Sequence, residues 1–203
     1  MARIVYVNGR YLPYAEAGVH VEDRGFQFAD SVYEVCEVKN RALIDTTRHL
    51  ARLARSLSEL KIAFPMAEPA LRHVLGQVVR RNRVRDGIVY LQVTRGQAPR
   101  DFLFPGPDTE PTLVAVARSI DPAKVAAKAR QGIAVKSVPD HRWGRCDLKT
   151  VMLLPAALAK ETARTAGAQE AWFVDEGGFT ERLYRVDPGR SREALRSRER
   201  GGA

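Results

Sequence analysis

The chain has 203 residues, 45% of them hydrophobic, and a formal charge of +9. At this length the folded form buries roughly two-thirds of the surface that the unfolded chain exposes, so neither a disulfide scaffold nor a metal staple is needed, and one or two domains are expected at about 150 residues each. No window approaches the ~20 apolar residues of a membrane span, the first ten residues lack the basic stretch and long apolar run of a secretory signal, and Cys36 and Cys146 lack the spacing of a redox pair or zinc knuckle.

Residues Ile4 to Val7 and Arg10 to Pro13 flank Asn8-Gly9, a pair that supplies the positive dihedrals of a two-residue hairpin turn. Ser31 to Lys39 reads as a strand, turning at Asn40-Arg41 into Ala42 to Asp45. Beyond Thr46, Leu50, Leu53, Leu57 and Leu60 recur at helical spacing. Pro69 near a first turn and the stripe Leu71, Val74, Leu75, Val78 and Val79 predict a second helix. Ile88 to Thr94 and Thr112 to Ala117 read as strands rich in β-branched residues.

Asp121-Pro122 marks a connection over residues 119–123. A strand is expected at Gly132 to Val138, then a helix from Pro155 to Ala166 closed by Gly167. A hairpin follows, with Ala171 to Val174 and Phe179 to Glu181 joined through Glu176-Gly177-Gly178. The expected organisation is α+β: a small N-terminal domain over residues 1–118, a linker over 119–123, a partial second domain over 124–181, and an Arg-rich tail over 182–203. The tail holds seven arginines against three acids and is expected to be disordered. That leaves an ordinary charge on the remainder, and no aromatics interleave with the basic residues, so nucleic acid is not the expected partner.

Several residues could carry chemistry. Lys149 sits between a strand-loop and an apolar helix. A lysine enclosed there is a competent Schiff-base former and proton shuttle, and the alternative is a surface lysine whose stem lies along apolar neighbours. Gly25, before the strand bearing Tyr33 and Glu34, permits a close backbone approach or is a loop glycine. Arg52 could fork onto a phosphate or be a solvated helix arginine. Arg95 and Arg100 leave a strand in one tight turn, where arginines can hold a carboxylate through two hydrogen bonds or equally be exposed turn residues. The histidines at 20, 49, 73 and 141 lack metal-ligand spacing, and no metal is expected.

Taken together, Glu22-Asp23-Arg24-Gly25-Phe26-Gln27-Phe28-Ala29-Asp30-Ser31-Val32-Tyr33-Glu34, His49-Leu50-Ala51-Arg52-Leu53, Tyr90-Leu91-Gln92-Val93-Thr94-Arg95-Gly96, Pro99-Arg100 and Arg142-Trp143-Gly144-Arg145-Cys146-Asp147-Leu148-Lys149 resemble the D-amino acid aminotransferases. These belong to the pyridoxal-phosphate enzymes of fold type IV, with the branched-chain aminotransferases. The motifs occur in the family's order and the resemblance covers residues 1 to 181. It implies a two-domain fold type IV architecture and transamination of a small, D-configured amino acid with a 2-oxo acid, using pyridoxal 5'-phosphate. Lys149 would bond the cofactor and move the proton, Arg52 would bind its phosphate, and Glu181 would pair with the pyridine nitrogen. Tyr33 and Arg100 match members of the trap for the substrate carboxylate. Phe102 stands where the D-amino acid enzymes carry a histidine of that trap.

After Glu181 the family continues with glycine, small hydroxyl residues and asparagine, whereas this chain reads Arg182-Leu183-Tyr184. The departure is read as a truncation or frameshift that leaves the second domain incomplete. The resemblance further implies a cytoplasmic homodimer acting on small molecules, with neither nucleic acid nor membrane as partner. Two alternatives share the frame: a lyase acting on aminodeoxychorismate with the same lysine and cofactor, and a catalytically dead remnant.

Overall fold

The computed structural model describes the backbone of residues 3–182 and the side chains of residues 3–178. The Arg-rich tail and the Glu181 side chain lie outside these described residues. The chain forms two compact units, Met1–Asp121 with Gly144–Met152, and Pro122–Trp143 with Leu153–Ala203.

The first unit is built on a six-stranded antiparallel sheet in the order β2-β1-β6-β5-β3-β4. Its strands are β1 (Ile4–Val7), β2 (Arg10–Pro13), β3 (Ser31–Lys39), β4 (Ala42–Leu43), β5 (Gly87–Thr94) and β6 (Thr112–Ser119). The first hairpin turns at Asn8 (φ 39°) and Gly9 (φ 85°), where positive dihedrals match the twist of the strands. Along β3, Val32, Glu34, Cys36 and Val38 are buried while Tyr33, Val35 and Glu37 are not, the period-two pattern of a strand with one covered face. Helices α2 (Thr46–Glu59) and α3 (Glu68–Arg81) supply that cover. Leu50, Leu53 and Leu57 from α2 and Leu71, Leu75 and Val78 from α3 pack with Val32, Val89, Leu91 and Ala115 in one core.

Two short elements depart from the sequence expectation. Residues 24–28, expected as loop, form helix α1 (Arg24–Phe28), and the expected linker over 119–123 shrinks to residues 120–121, because β6 runs to Ser119 and helix α4 (Pro122–Gln131) begins inside it. Proline at the first helical position costs no hydrogen bond, because that N–H has no intrahelical partner. Gly132, at φ 72°, ends α4 in a left-handed turn, so the following strand β7 starts only at Val135 and runs to Pro139.

In the second unit β7 pairs in parallel with β8 (Glu170–Asp175), which pairs antiparallel with β9 (Gly178–Arg182). Helix α5 (Leu154–Thr165) connects the parallel pair. Ala159 and Ala163 on that helix pack against Val138, Ala171 and Phe173. Small residues on the helix let it lie close to the strands. Gly144–Met152, inside the stretch expected as a second domain, groups with the first unit.

Candidate active site

Residues 144–152 join the first unit at the edge of β3. One side of this strand pairs with β5 from Ser31 to Val38, but on the other side β4 reaches only Val38 and Lys39. Residues 149–151 fill the start of the open edge. The Tyr33 N–H donates to the Lys149 carbonyl at 3.0 Å, and the Val151 N–H donates to the Ser31 carbonyl at 3.2 Å. Leu148 and Thr150 are buried, and strand alternation turns Lys149 the other way. Its Nζ lies 4.2 Å from the centroid of the Tyr33 ring, and the residue is half-buried. Tyr33 is in turn backed by Tyr90, ring centroids 5.6 Å apart.

The loop before Lys149 is clamped to α2. Arg55 donates to the Asp147 carboxylate (2.8 Å) and carbonyl (3.1 Å), and Arg145 bridges Asp147 (2.9 Å) and Glu59 (3.1 Å). The Arg145 and then the Arg55 hydrogen bonds hold the Asp147 carboxyl below the ordinary aspartate range. Exposed pairs of this kind contribute little singly. Five such bonds on one loop, the Arg145 Nη2 bond to Asp147 (3.1 Å) included, fix its path.

One turn before Arg55 on the same helix, Arg52 meets Glu34. Its Nε and Nη2 donate to the two carboxylate oxygens at 2.6 Å each. His49 Nδ1 reaches Oε2 at 2.8 Å. The Glu34 side chain is 1% exposed and that of Arg52 37%. Burial raises the Glu34 pKa, but hydrogen bonds from Arg52 and His49 outweigh it and the net direction is down. A carboxyl whose folded pKa lies below its unfolded value stabilises the fold above the unfolded value of about 4.3 and loses that contribution as pH falls through the folded one. The urea midpoint is therefore expected to fall with acidification below about pH 4 more steeply in the wild type than in Glu34→Gln. Parallel midpoint curves would contradict this.

The two arginines of the turn after β5 separate. Arg95 is buried, with Nε and Nη2 on the Asp30 carboxylate (2.7 and 3.0 Å) and further bonds to the carbonyls of Lys61 and Leu60. It is a structural arginine, and neither of the two readings left open for it, carboxylate binder or exposed turn residue, describes it. Arg24, also buried, donates through Nε to the Asp30 Oδ2 that Arg95 Nε also bonds (2.8 Å) and through Nη1 to the Asp101 carbonyl (2.7 Å), holding the loop that carries Arg100. Arg100 is exposed, its guanidinium 4.8 Å from the Phe28 ring centroid. Phe102 is 85% exposed and meets Phe28 edge-on at 5.7 Å.

Asp23 caps α1 by accepting from the Gly25 N–H (2.8 Å) and from Thr94 Oγ1 (2.9 Å). A Cβ on Gly25 would lie 2.4 Å from Thr94 Cγ2, so the close approach, not a loop, explains the glycine. Glu181 lies in β9 with Phe173 as its Cα partner.

Lys149, Tyr33, Arg52 and Arg100 are thus carried by the first unit. Glu34, His49 and Asp30 were not singled out from the sequence. Glu34 stands on the buried face of an alternating strand, and His49 and Arg52 are spaced i, i+3 on one helix face. Those two patterns were the available signals.

The chain belongs to the class IV amino-transferases, whose family pattern matches residues 31–182. These are pyridoxal phosphate enzymes. The chain is 38% identical over 177 residues to a D-alanine aminotransferase of Bacillus licheniformis, covering 87% of this chain and 62% of that protein. It is 37% identical over 167 residues to one of Staphylococcus haemolyticus, covering 82% and 58%. A solved structure of the Escherichia coli branched-chain amino acid aminotransferase superposes with a TM-score of 0.76 at 20% identity, over 90% of this chain and 63% of that one. This establishes the fold type IV architecture. The chain spans about three-fifths of the length of the curated relatives it matches.

Proposed function

We propose that this chain performs pyridoxal 5'-phosphate-dependent transamination of a small D-amino acid with a 2-oxo acid as acceptor. The observation that carries the reading is the half-buried Lys149 amine, held beside Tyr33 by the pairing of residues 149–151 with β3. The donor set suits the cofactor. Lys149 offers a primary amine for an aldehyde carbon, and Arg52, bound side-on by Glu34, keeps Nη1 and one N–H of Nη2 as a second fork for a phosphate. Glu181 is the residue proposed for the pyridine nitrogen. When bound, the group supplies an electron sink for the negative charge left by loss of the Cα proton.

With the cofactor bound, Lys149 Nζ would be the atom that takes the proton from the substrate Cα and hands it on. The Tyr33 ring, 4.2 Å from Nζ, holds the amine at the strand edge before the cofactor binds. Tyr33 and Arg100 hold the substrate carboxylate.

Borohydride fixation of added pyridoxal 5'-phosphate, followed by peptide mapping, is expected to label Lys149. A label on Lys136 or Lys160 instead defeats the assignment. Arg100→Ala is expected to raise KM for D-alanine about tenfold or more, because a charge-assisted carboxylate bond is worth about 1.5–3 kcal/mol, and Phe102→His is expected to lower it. Unchanged kinetics in both variants would remove Arg100 from the site.

The same reading includes a cytoplasmic homodimer. Among the described residues no helix is long and apolar enough to cross a membrane. Phe26, Phe102 and Leu103 are exposed by 74, 85 and 76%, an apolar surface of the kind that self-association covers. Sedimentation of the purified chain measures it.

A further inference from the structure

Glu34 is an unexpected residue for its position. It occupies the covered face of β3 between Val32 and Cys36, both fully buried. Burying a charge pair is costly, and apolar residues of similar volume commonly replace such pairs without loss of stability. Fold stability therefore does not by itself account for a carboxylate here.

Its geometry does. Both carboxylate oxygens are spent on the Nε/Nη2 edge of Arg52, at 2.6 Å each. Because an ionised carboxylate only accepts, the His49 Nδ1–H donates the third bond, at 2.8 Å. The guanidinium is thereby fixed in plane and rotation. Nη1 has no partner among the described residues.

We infer that Glu34 is a positioning residue for phosphate recognition: it locks Arg52 side-on so that the remaining Nη1/Nη2 fork is set for the cofactor phosphate before it arrives. The inference rests on the role proposed above for Arg52. An arginine on a flexible stem gives up rotamer freedom when it clamps an anion, and here the buried carboxylate has already removed that freedom. A second effect opposes the first. Glu34 cancels the charge of Arg52 and so weakens its pull on an anion. The two effects give opposite signs when the carboxylate is removed, which makes them separable.

The test compares the affinities of the full chain for pyridoxal 5'-phosphate and for pyridoxal, which has the same ring and no phosphate, by absorbance titration. Competition by inorganic phosphate is a readout that needs no turnover. In Glu34→Gln the preference for the phosphorylated form is expected to fall about tenfold or more, with pyridoxal affinity unchanged. A merely structural role would move both ligands together. Glu34→Asp keeps the charge but shortens the reach, so it is expected to lose the preference as well, and it serves where Glu34→Gln folds poorly. Since Glu34 acts through Arg52, the double variant with Arg52→Gln is expected to lose no more than Arg52→Gln alone. A preference kept or increased in a folded Glu34 variant, or additive losses in the double, would overturn the inference and leave the cofactor assignment standing. No preference for the phosphorylated form in the wild type would overturn both.

Discussion

Replacing Lys149 by alanine is expected to abolish transamination while leaving the fold intact. The segment that bears the lysine is held by backbone bonds of Tyr33 and Val151, by burial of Leu148, and by the Arg55 and Arg145 clamps on Asp147. None of these uses the lysine side chain. Its contact with the Tyr33 ring is worth about 0.5–1 kcal/mol at a partly exposed position, so the unfolding midpoint should move little. The loss of a positioned proton carrier costs about 10²- to 10⁴-fold by itself, and the loss of the covalent anchor for the cofactor adds to it. Turnover, thermal unfolding and borohydride labelling of the variant measure the three consequences. Turnover within tenfold of the wild type would remove Lys149 from the reaction.

The second large effect is structural and falls on Asp30. Its carboxylate lies between Arg24 and Arg95, whose side chains are 4% and 7% exposed, and it bonds both. Asp30→Ala leaves two guanidinium groups buried without their counter-charge, and breaking such a pair from one side costs about 3–5 kcal/mol. Denaturant unfolding is expected to show a loss of this size. The effect should also reach the site, because Arg24 holds the Asp101 carbonyl beside Arg100, so the KM for the amino acid should rise in whatever fraction remains folded. A loss below about 1 kcal/mol would place Asp30 among the screened surface pairs.

The parts of the fold that were legible in the sequence are those with a local code. Asn8-Gly9 specified its hairpin, the leucine spacing of residues 50–57 specified α2, Pro69 opened α3, and Gly167 at φ 72° closed α5. Helix α1 was not legible. It has five residues, and its start depends on Asp23 bonding Thr94, 71 positions away, and on Gly25 packing against the same threonine. Helix α4 buries none of its residues, so it has no apolar stripe to read. The grouping of Gly144–Met152 with the first unit depends on an open edge of β3, which only the assembled sheet possesses.

The site divides in the same way. Lys149 and Arg52 stood out through their resemblance to a family and not through spacing. Arg95 and Arg100 look equivalent in sequence, and only the position of Asp30 makes one a buried brace and leaves the other exposed. Glu34 was hidden in an alternation that otherwise reads as plain core.

The strand edge that receives Lys149 has a consequence for motion. Residues 149–151 join the first sheet through two backbone hydrogen bonds, whereas β3 and β5 are paired over eight positions. Regions held by few bonds open at lower free energy than the sheet they lean on. The amides of Tyr33 and Val151 should exchange with solvent deuterium well before those shared by β3 and β5. Lys149 thus rides on a detachable strap, expected to part from β3 and lie back against Tyr33 while the β3–β5 scaffold beneath it stays closed.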